Sequence, residues 1–381
     1  MTLDPIPQAC PLSQYLAHRA EIDAVVQQVM SAGRYILGHE VEEFEKEYAD
    51  YIGTRFAIGV ASGTDALVLA LRACKVGPGD EVITSPHTAV ATVAAIELAG
   101  AVPVLVDIEP DTFLIDPSKI ETAISSRTRA IIPIHLFGQP ADLSAILAIA
   151  QHHAIHVIED CAQAHGALYC GKRVGSWGSA GCFSFYPTKN LGAIGDGGMV
   201  VTDDNNLAGE VRQLREYGWR QRFISEVPGL NSRLDEIQAA ILRVKLRHLD
   251  RDNERRRQIA EQYTHALSAQ LVVPVVKADR TSVFHQYVVR SSVRGDLQSS
   301  LRGQGVGTAI HYPTPIHLQP AYRGRIGDSG SFPVAERAAE EILSLPMYPE
   351  LETAQIERVV DAITKNCAPS ALAYEHTQTS V

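Results

Sequence analysis

Short apolar runs alternate with segments of helical periodicity between residues 55 and 202. The first runs are FAIGV, EVITS and VPVLVD, and the helical segments TDALVLALRAC and ATVAAIELAG separate them. The alternation continues with RAIIPIH, the helical segment DLSAILAIAQHH and HVIED, and it ends with CFSF and GGMVVT. Strands that alternate with helices are typical of βαβ units. We therefore predict a mostly parallel sheet of seven strands.

Helical patterns flank this alternating region. Two helices are predicted ahead of it, at residues 12–32 and 41–53, and a long helical stretch follows it up to about residue 266. Beyond that stretch, SVFHQYVVRS and TAIHY predict strands. The segment DLQSSLRGQG and residues 333–344 and 353–366 predict helices. The last part of the chain is therefore expected to be a small α+β unit.

The length of 381 residues is more than one compact core normally holds. We predict a large domain over residues 1–250, which includes the N-terminal helices, and a smaller α+β domain over residues 251–381. Its last dozen residues are expected to be a frayed tail. Apolar residues at 45% and charged residues at 20% are ordinary for a folded protein.

Charge and composition exclude several classes of protein. A formal net charge of -10 argues against nucleic-acid binding, which needs a surplus of Lys and Arg. The N-terminal residues have no basic stretch before an apolar one, and no run of about 18 apolar residues occurs, so neither export nor membrane insertion is expected. The scattered cysteines suit free thiols, which favours a cytoplasmic location. They are Cys10, Cys74, Cys161, Cys170, Cys182 and Cys367.

A lysine stands in the Gly-rich segment SFYPTKNLGAIGDGG, directly before the strand MVVT. The amine of Lys189 is a useful nucleophile toward carbonyl groups if partial burial or nearby positive charge lowers its pKa. The alternative is a solvated loop lysine. The neighbouring motifs decide between the two readings.

Asp160 ends the apolar strand HVIED, at the carboxyl end where open α/β sheets bind ligands. An acid there is placed for a cationic group of a ligand. In enzymes that use pyridoxal 5'-phosphate (PLP), that group is the protonated pyridine nitrogen. The alternative is a helix cap or a turn residue. Together, Asp160 and Lys189 favour a PLP site.

The segment ASGTDALVLAL leads from a strand through Ser62, Gly63 and Thr64 into an apolar helix. Small residues at the start of a helix leave backbone N–H groups available to a phosphate, although simple N-capping is the alternative. Ser184, five residues before Lys189, offers a further hydroxyl. No Walker motif or G-x-G-x-x-G occurs at these places, which disfavours a nucleoside triphosphate or a dinucleotide.

Segments along nearly the whole chain resemble, in order, the DegT/DnrJ/EryC1/StrS family of PLP-dependent sugar aminotransferases. The resemblance implies an α/β architecture, the aspartate aminotransferase fold of type I PLP enzymes. The segments that carry it are GRYILGHEVEEFE, ASGTDAL, SPHTAVAT, VDIEPDTFLID, PIHLFGQPAD, EDCAQAHGA, SFYPTKNLGAIGDGG, GLNSRLDEIQAAIL and IHYPTPIHLQPAY.

The resemblance also implies roles for individual residues. Lys189 would form the Schiff base, Asp160 would pair with the pyridine nitrogen, and Gln163 would lie near the 3-hydroxyl of the cofactor. Asn231 would reach the phosphate of the neighbouring subunit, which makes the expected active unit a homodimer. The residues expected to hold the phosphate within the same chain are Ser62, Gly63, Thr64 and Ser184.

His87, in SPHTAVAT, stands where this family stacks an aromatic ring on the cofactor, often Tyr, Phe or Trp. An imidazole can cover the ring face with less apolar area, so we expect His87 to stack there. The alternative is a simple loop histidine.

The implied reaction is a ping-pong transamination, in which pyridoxamine phosphate is the intermediate form of the cofactor. The family suggests L-glutamate as donor and a nucleotide-linked keto sugar as acceptor. The segments REYGWRQRF and GTAIHYPTPIHLQPAY are most similar to members that aminate C3 of a dTDP-linked 3-oxo-6-deoxy sugar, and members that aminate C4 are the alternative.

The acceptor's diphosphate requires positive groups, and guanidinium suits it through paired hydrogen bonds. Arg220 and Arg222 are our candidates, and Arg215 and Arg233 lie in the same stretch; surface ion pairs are the alternative role of each. Our candidates for contacts with the sugar are Tyr186, His311 and Tyr312, whose rings can stack and form hydrogen bonds.

Two rival functions follow from the same scaffold. Sugar dehydratases resemble this family but carry histidine in place of the lysine, so the presence of Lys189 speaks against them. A regulatory protein that binds PLP or a sugar nucleotide without turnover is the second rival. No basic arm or DNA-binding appendage is evident in the sequence to support it.

Overall fold

Residues 4–365 are described by the structure, a computed structural model. The helices are α1 (Pro11–Ala17), α2 (Arg19–Ala32), α3 (His39–Ile52), α4 (Gly63–Ala73), α5 (Val90–Leu98), α6 (Ile120–Ala123), α7 (Leu143–His153), α8 (Asn205–Leu214), α9 (Glu236–Leu246), α10 (Leu249–Leu267), α11 (Arg294–Gly303), α12 (Pro333–Glu341) and α13 (Thr353–Thr364). The strands are β1 (Phe56–Val60), β2 (Glu81–Thr84), β3 (Val102–Leu105), β4 (Thr128–Ile131), β5 (His156–Asp160), β6 (Leu168–Tyr169), β7 (Lys172–Arg173), β8 (Ala180–Ser184), β9 (Gly198–Thr202), β10 (Trp219–Gln221), β11 (Ile224–Ser225), β12 (Arg280–Thr281), β13 (Tyr287–Arg290) and β14 (Ile342–Leu345).

Seven of these strands form one sheet in the order β1-β9-β8-β5-β4-β2-β3. Strand β9 is antiparallel to both of its neighbours, and all other adjacent pairs are parallel. The predicted mostly parallel seven-stranded sheet is therefore confirmed. The connection between β8 and β9, residues 185–197, contains no helix of the kind that usually carries the chain back to start a parallel strand.

Helices cover both faces of the sheet, so its strands are apolar on both sides. Side chains alternate between the faces: Ile158 packs in the core under α4, α5 and α8, and Val157 packs in the core under α7. Helix α4 is apolar on nearly every side and is buried almost completely. Helices α3 and α9 cover the face near β1 and β9.

The predicted helical stretches are interrupted at two histidines. His18 separates α1 from α2, and His248 lies between α9 and α10.

The start of α3 is capped by a side chain from α9. The buried carboxylate of Glu236 accepts hydrogen bonds from the backbone N–H groups of Gly38, Glu40 and Val41 at 2.7 to 3.0 Å. A remote acid therefore satisfies the first N–H groups of α3 in place of a local capping side chain.

The segment after α10 contains a small antiparallel pair, β13 with β14, in which Tyr287 is opposite Leu345. These strands pack with α10, α11 and α13 in a separate apolar core. Two predictions in this segment were wrong. TAIHY makes only an isolated bridge from Ala309 to Ser344, because Pro313 and Pro315 directly beyond it cannot continue a ladder. The predicted helix 333–344 ends at Glu341, since the apolar run ILSL pairs with β13 instead.

The proposed domain boundary near residue 250 stays a prediction, and the predicted C-terminal tail lies outside the described residues. Among residues 4–365, each helix is too short or too polar to cross a membrane.

Candidate active site

A cavity of about 230 Å³, open to solvent, lies at the carboxyl end of β5. This is the edge of an open α/β sheet where ligands bind. The structure brings together here eight of the residues predicted from the sequence to form a site. They are Ser62, Gly63, Thr64, Asp160, Gln163, Ser184, Tyr186 and Lys189.

Asp160 is buried at the end of β5 and aims its carboxylate into this cavity. One carboxylate oxygen accepts a hydrogen bond from the hydroxyl of Thr92 at 2.9 Å, and the other accepts one from the N–H of Ala162 at 3.1 Å. Burial raises the pKa of Asp160 above its ordinary value, although both hydrogen bonds and the charge of Lys189 act in the opposite direction. A cationic ligand group next to this buried carboxylate would stabilise its charged form.

Lys189 lies in the loop after β8, with its backbone N–H donating to the carbonyl of Tyr186 at 2.8 Å. Burial lowers the pKa of its amine to about 8, and only the charge of Asp160 opposes that shift. Within residues 4–365 the amine makes no hydrogen bond. Lys189 is therefore a largely enclosed amine with a sizeable uncharged fraction near neutral pH, which is what a nucleophile toward aldehydes requires.

The start of α4 approaches Ser184 closely. A Cβ atom on Gly63 would lie 2.6 Å from the Cβ of Ser184, so only glycine fits at this position. The hydroxyl of Ser62 accepts the N–H of Asp65 at 3.1 Å, which leaves the N–H groups of Gly63 and Thr64 free of a capping partner. These groups and the Ser184 hydroxyl form a corner suited to a phosphate.

Gln163 has a fixed amide orientation. Its oxygen accepts the N–H of Phe137 at 2.7 Å, and its nitrogen donates to the hydroxyl of Tyr312 at 3.1 Å. Phe137 adopts a left-handed backbone conformation with φ of 59°, which costs on the order of 1–3 kcal/mol for a residue other than glycine. The N–H group that orients Gln163 therefore belongs to a residue, Phe137, with a strained backbone conformation.

His87 lies next to this cavity but does not line it. It is buried, with its ring 6.1 Å from the rings of Phe113 and Phe137, and burial lowers its pKa to about 4. Both ring nitrogens lack a hydrogen-bond partner among the described residues. The stacking role predicted for His87 stays a prediction.

The other predicted contacts differ in their placement. His311 contacts Ser344 through Nδ1 at 2.8 Å, and burial lowers its pKa to about 4, so its ring is neutral near pH 7. Arg220 is exposed in the β10–β11 hairpin and pairs with Glu226 at 3.0 Å, and Arg222 is exposed over the ring of Phe223. Neither arginine lines the cavity.

Asn231 of GLNSRLDE and Arg215 of REYGWRQRF also lie away from the cavity. Asn231 is exposed, and its backbone pairs with Glu216. Arg215 is buried and donates to Glu45 and to the carbonyl of Gly59, so it is occupied within the fold.

The sequence reasoning missed several residues at the cavity. Thr88 and Asp196 line it, and Thr92 holds Asp160 from α5. His165 bridges the hydroxyl of Tyr48 and the carbonyl of Ser184, at 2.9 and 2.8 Å. No motif marks Thr92 in the sequence, because it is a single threonine in the apolar helical segment ATVAAIELAG.

These groups fit PLP. The cavity offers an enclosed amine, a buried acid that lacks a cation, and a glycine corner that an added Cβ would close. The fold and the site together define an α/β enzyme of the type I PLP class.

Comparisons with known proteins agree with that class. The DegT/DnrJ/EryC1/StrS aminotransferase family matches residues 17–364. A relative from Streptomyces venezuelae, the dTDP-3-amino-3,4,6-trideoxy-alpha-D-glucose transaminase, is 49% identical over 91% of this chain and 92% of its own. A pleiotropic regulatory protein of Geobacillus stearothermophilus is also 49% identical, over 94% of this chain and 98% of its own.

Among solved structures, S. venezuelae DesV in complex with a ketimine intermediate is similar with a TM-score of 0.94 and 48% identity, covering 95% of this chain and 98% of that one. The chain belongs to the DegT/DnrJ/EryC1/StrS aminotransferase family. It is a PLP-dependent aminotransferase, and the predicted fold class and cofactor are confirmed.

Proposed function

We propose that this enzyme transfers an amino group from L-glutamate to C3 of a dTDP-linked 3-oxo-6-deoxyhexose, giving an amino sugar nucleotide and 2-oxoglutarate. The observation that carries the proposal is the cavity in which Lys189 and Asp160 meet, together with a 49% identical relative named as a transaminase of a dTDP-linked 3-amino sugar.

In this proposal Lys189 would hold the cofactor through its amine and would also serve as the base that moves the donor's proton. An amine with a pKa of about 8 can accept a proton from the donor's alpha carbon and return it as an acid near neutral pH. The bound cofactor supplies an electron-withdrawing ring that stabilises the carbon losing its proton. Asp160 keeps the ring nitrogen protonated, and Gln163 donates from its amide nitrogen near the cofactor's 3-hydroxyl.

The charge of the cavity supports a homodimer with shared sites. Its ionisable lining residues are Lys189, Asp160, Asp196 and Tyr186, so Lys189 is its one cation among the described residues. A cofactor phosphate and a nucleotide diphosphate need more positive charge than one amine supplies. We propose that a second copy of the chain brings Arg220, Arg222 and Asn231, which are exposed in this chain, to that site.

The sugar is proposed to contact three rings. Tyr186 is about half exposed at the cavity, and the hydroxyl of Tyr312 is already held by Gln163. Burial raises the pKa of Tyr312 to about 12, so its hydroxyl stays protonated and can donate to a sugar oxygen. The neutral His311 can either donate or accept through its other ring nitrogen.

Two alternatives remain, and each has an observation behind it. Amination at C4 would use the same Lys189 and Asp160, because both carbons belong to one ring. A regulatory role without turnover is favoured by the name of the Geobacillus stearothermophilus relative. An amine that captures the PLP aldehyde is needed in both cases, so release of 2-oxoglutarate, and not the presence of Lys189, separates the two.

The test follows each half of the reaction. The purified enzyme is incubated with L-glutamate and then with either the 3-oxo or the 4-oxo form of the dTDP-sugar, with Lys189→Ala as the control. We expect 2-oxoglutarate in the first half and, by nuclear magnetic resonance, nitrogen on C3 in the second. Nitrogen on C4 would select the alternative acceptor, and absence of 2-oxoglutarate from enzyme that retains bound PLP would support the regulatory role.

A further inference from the structure

We propose that Thr92 is a positioning residue for the cofactor, acting through Asp160 to keep that carboxylate charged and aimed at the ring nitrogen. The inference rests on the proposed role of Asp160. Thr92 belongs to α5 and is fully buried, two residues into the helix after its first residue, Val90. Helix α5 therefore contributes a hydrogen-bond donor to Asp160.

The hydrogen bonds define a direction for the protons. The hydroxyl of Thr92 lies 2.9 Å from Oδ2 of Asp160 and 3.2 Å from the hydroxyl of Thr88. A charged carboxylate only accepts, so the single proton of Thr92 must point to Asp160. Thr88 must then donate to Thr92. The chain of donors runs from Thr88 through Thr92 to the acid, and its last hydrogen bond is strongest when Asp160 is ionised.

This chain opposes the effect of burial. Burial raises the pKa of Asp160, and the hydrogen bond from Thr92 is the largest influence that lowers it. The N–H of Ala162 supplies the second donor, at the other oxygen. Without Thr92, one buried oxygen would lose its donor, and a neutral acid would become more favourable. A neutral Asp160 holds a protonated ring nitrogen less well.

The backbone contact and the side-chain contact of Thr92 have separable roles. Its N–H donates to the carbonyl of Ala89 at 3.2 Å within the first turn of the helix, and any residue can make that bond. The hydroxyl is the part that reaches Asp160. Thr92→Val removes the hydroxyl at nearly constant volume, and Thr92→Ser retains it with less volume, so the pair separates the hydroxyl from packing.

The experiment compares two ligands that differ at one atom. Apoprotein is titrated by calorimetry with pyridoxamine phosphate and with its 1-deaza counterpart, in which a C–H group replaces the ring nitrogen. Both bind without a covalent bond to Lys189. The wild type is expected to prefer the nitrogen-containing ligand. In Thr92→Val we expect that preference to fall by about tenfold or more, and in Thr92→Ser to stay near the wild-type value.

The outcomes are distinguishable. If the wild type shows no preference between the ligands, the proposed role of Asp160 fails. If the wild type shows the preference and Thr92→Val keeps all of it, or weakens both ligands equally, the role of Thr92 is overturned while that of Asp160 stands. Thermal unfolding checks that the variant is folded. Thr92→Ala, which removes the same hydroxyl, replaces Thr92→Val if the latter does not fold.

Discussion

Two neighbouring acids of β5 differ in role: one is bonded within the fold, and the other lines the candidate active site. Glu159 and Asp160 are both buried acids. The carboxylate of Glu159 accepts hydrogen bonds from His135 and from the N–H groups of Gly175, Trp177 and Gly178, at 2.8 to 3.1 Å. Those donors keep the pKa of Glu159 below its ordinary value, whereas Asp160, with two donors, has a raised pKa.

Lys245, which is buried, and Lys189, which is partly buried, show a similar contrast. Lys245 donates to Gln14 at 2.8 Å and to the carbonyl of Gly192 at 2.6 Å, whereas the amine of Lys189 makes no hydrogen bond among the described residues. Burial lowers the pKa of each to about 8. A shifted pKa therefore does not identify the reactive group. The missing partners and the open cavity do, because a fully bonded group has nothing left to offer a ligand.

Replacing Lys189 or Lys245 should give the largest difference in transamination rate between two variants. Lys189→Ala is expected to lower transamination by roughly 10⁴-fold, because one side chain is lost both as nucleophile and as base. Lys245→Met should retain turnover and lower the unfolding temperature, since it leaves Gln14 and Gly192 without their donor. Turnover is followed by 2-oxoglutarate release. Equal loss in both variants would contradict the contrast.

The two acids should separate binding from stability. Asp160→Asn is expected to weaken pyridoxamine phosphate binding by roughly 10³-fold, because the protonated ring nitrogen then has no negatively charged partner. The stability of the apoprotein should change little. Glu159→Gln should cost about 3 kcal/mol of unfolding free energy, since several buried donors lose their acceptor. Calorimetric titration and urea unfolding measure the two effects. A Glu159→Gln protein as stable as the wild type would contradict the structural role given to Glu159.

Gly63 at the site and Gly209 in α8 should show the same contrast between cofactor binding and stability, with smaller effects. Gly63→Ala forces a Cβ to 2.6 Å from Ser184, and a cost of about 2 kcal/mol predicts roughly 30-fold weaker cofactor binding. Gly209 lies in α8 with no atom within 4 Å of an added Cβ, so Gly209→Ala should raise stability by about 1 kcal/mol and leave binding unchanged. Unchanged binding in Gly63→Ala would place the phosphate elsewhere.

The pH dependence of cofactor capture should follow Lys189. A pKa lowered to about 8 means that the free amine increases roughly tenfold per pH unit below 8 and levels off above it. The rate at which apoprotein captures PLP, measured by stopped-flow absorbance, should rise accordingly. In Lys189→Ala the capture should vanish even though Lys245 has a similar pKa. Capture that keeps rising past pH 8 and levels off only above about pH 10 would mean an unshifted lysine.

Much of the fold was predictable because the strands and helices up to residue 202 follow clear periods. Failures came where a local pattern competed with tertiary pairing. ILSL continues the pattern of α12 but pairs with β13, and TAIHY has strand composition but meets Pro313. The break at His248 also has no strong local signal.

The site was predictable where its residues lie in motifs, as Lys189, Asp160 and Gly63 do. Thr92 was not, because a single threonine in an apolar helix carries no motif, and only the fold brings it to 2.9 Å from Asp160. The orientation of Gln163 depends on the backbone of Phe137, which no sequence pattern reveals.

The most direct measurement is borohydride reduction of the PLP-loaded enzyme followed by peptide mass spectrometry, because reduction fixes a pyridoxyl group on the lysine that is bonded to the cofactor. We predict the label on Lys189 alone. A label on Lys245 or another lysine, or an unlabelled Lys189 in protein that still releases 2-oxoglutarate from glutamate, would contradict the account.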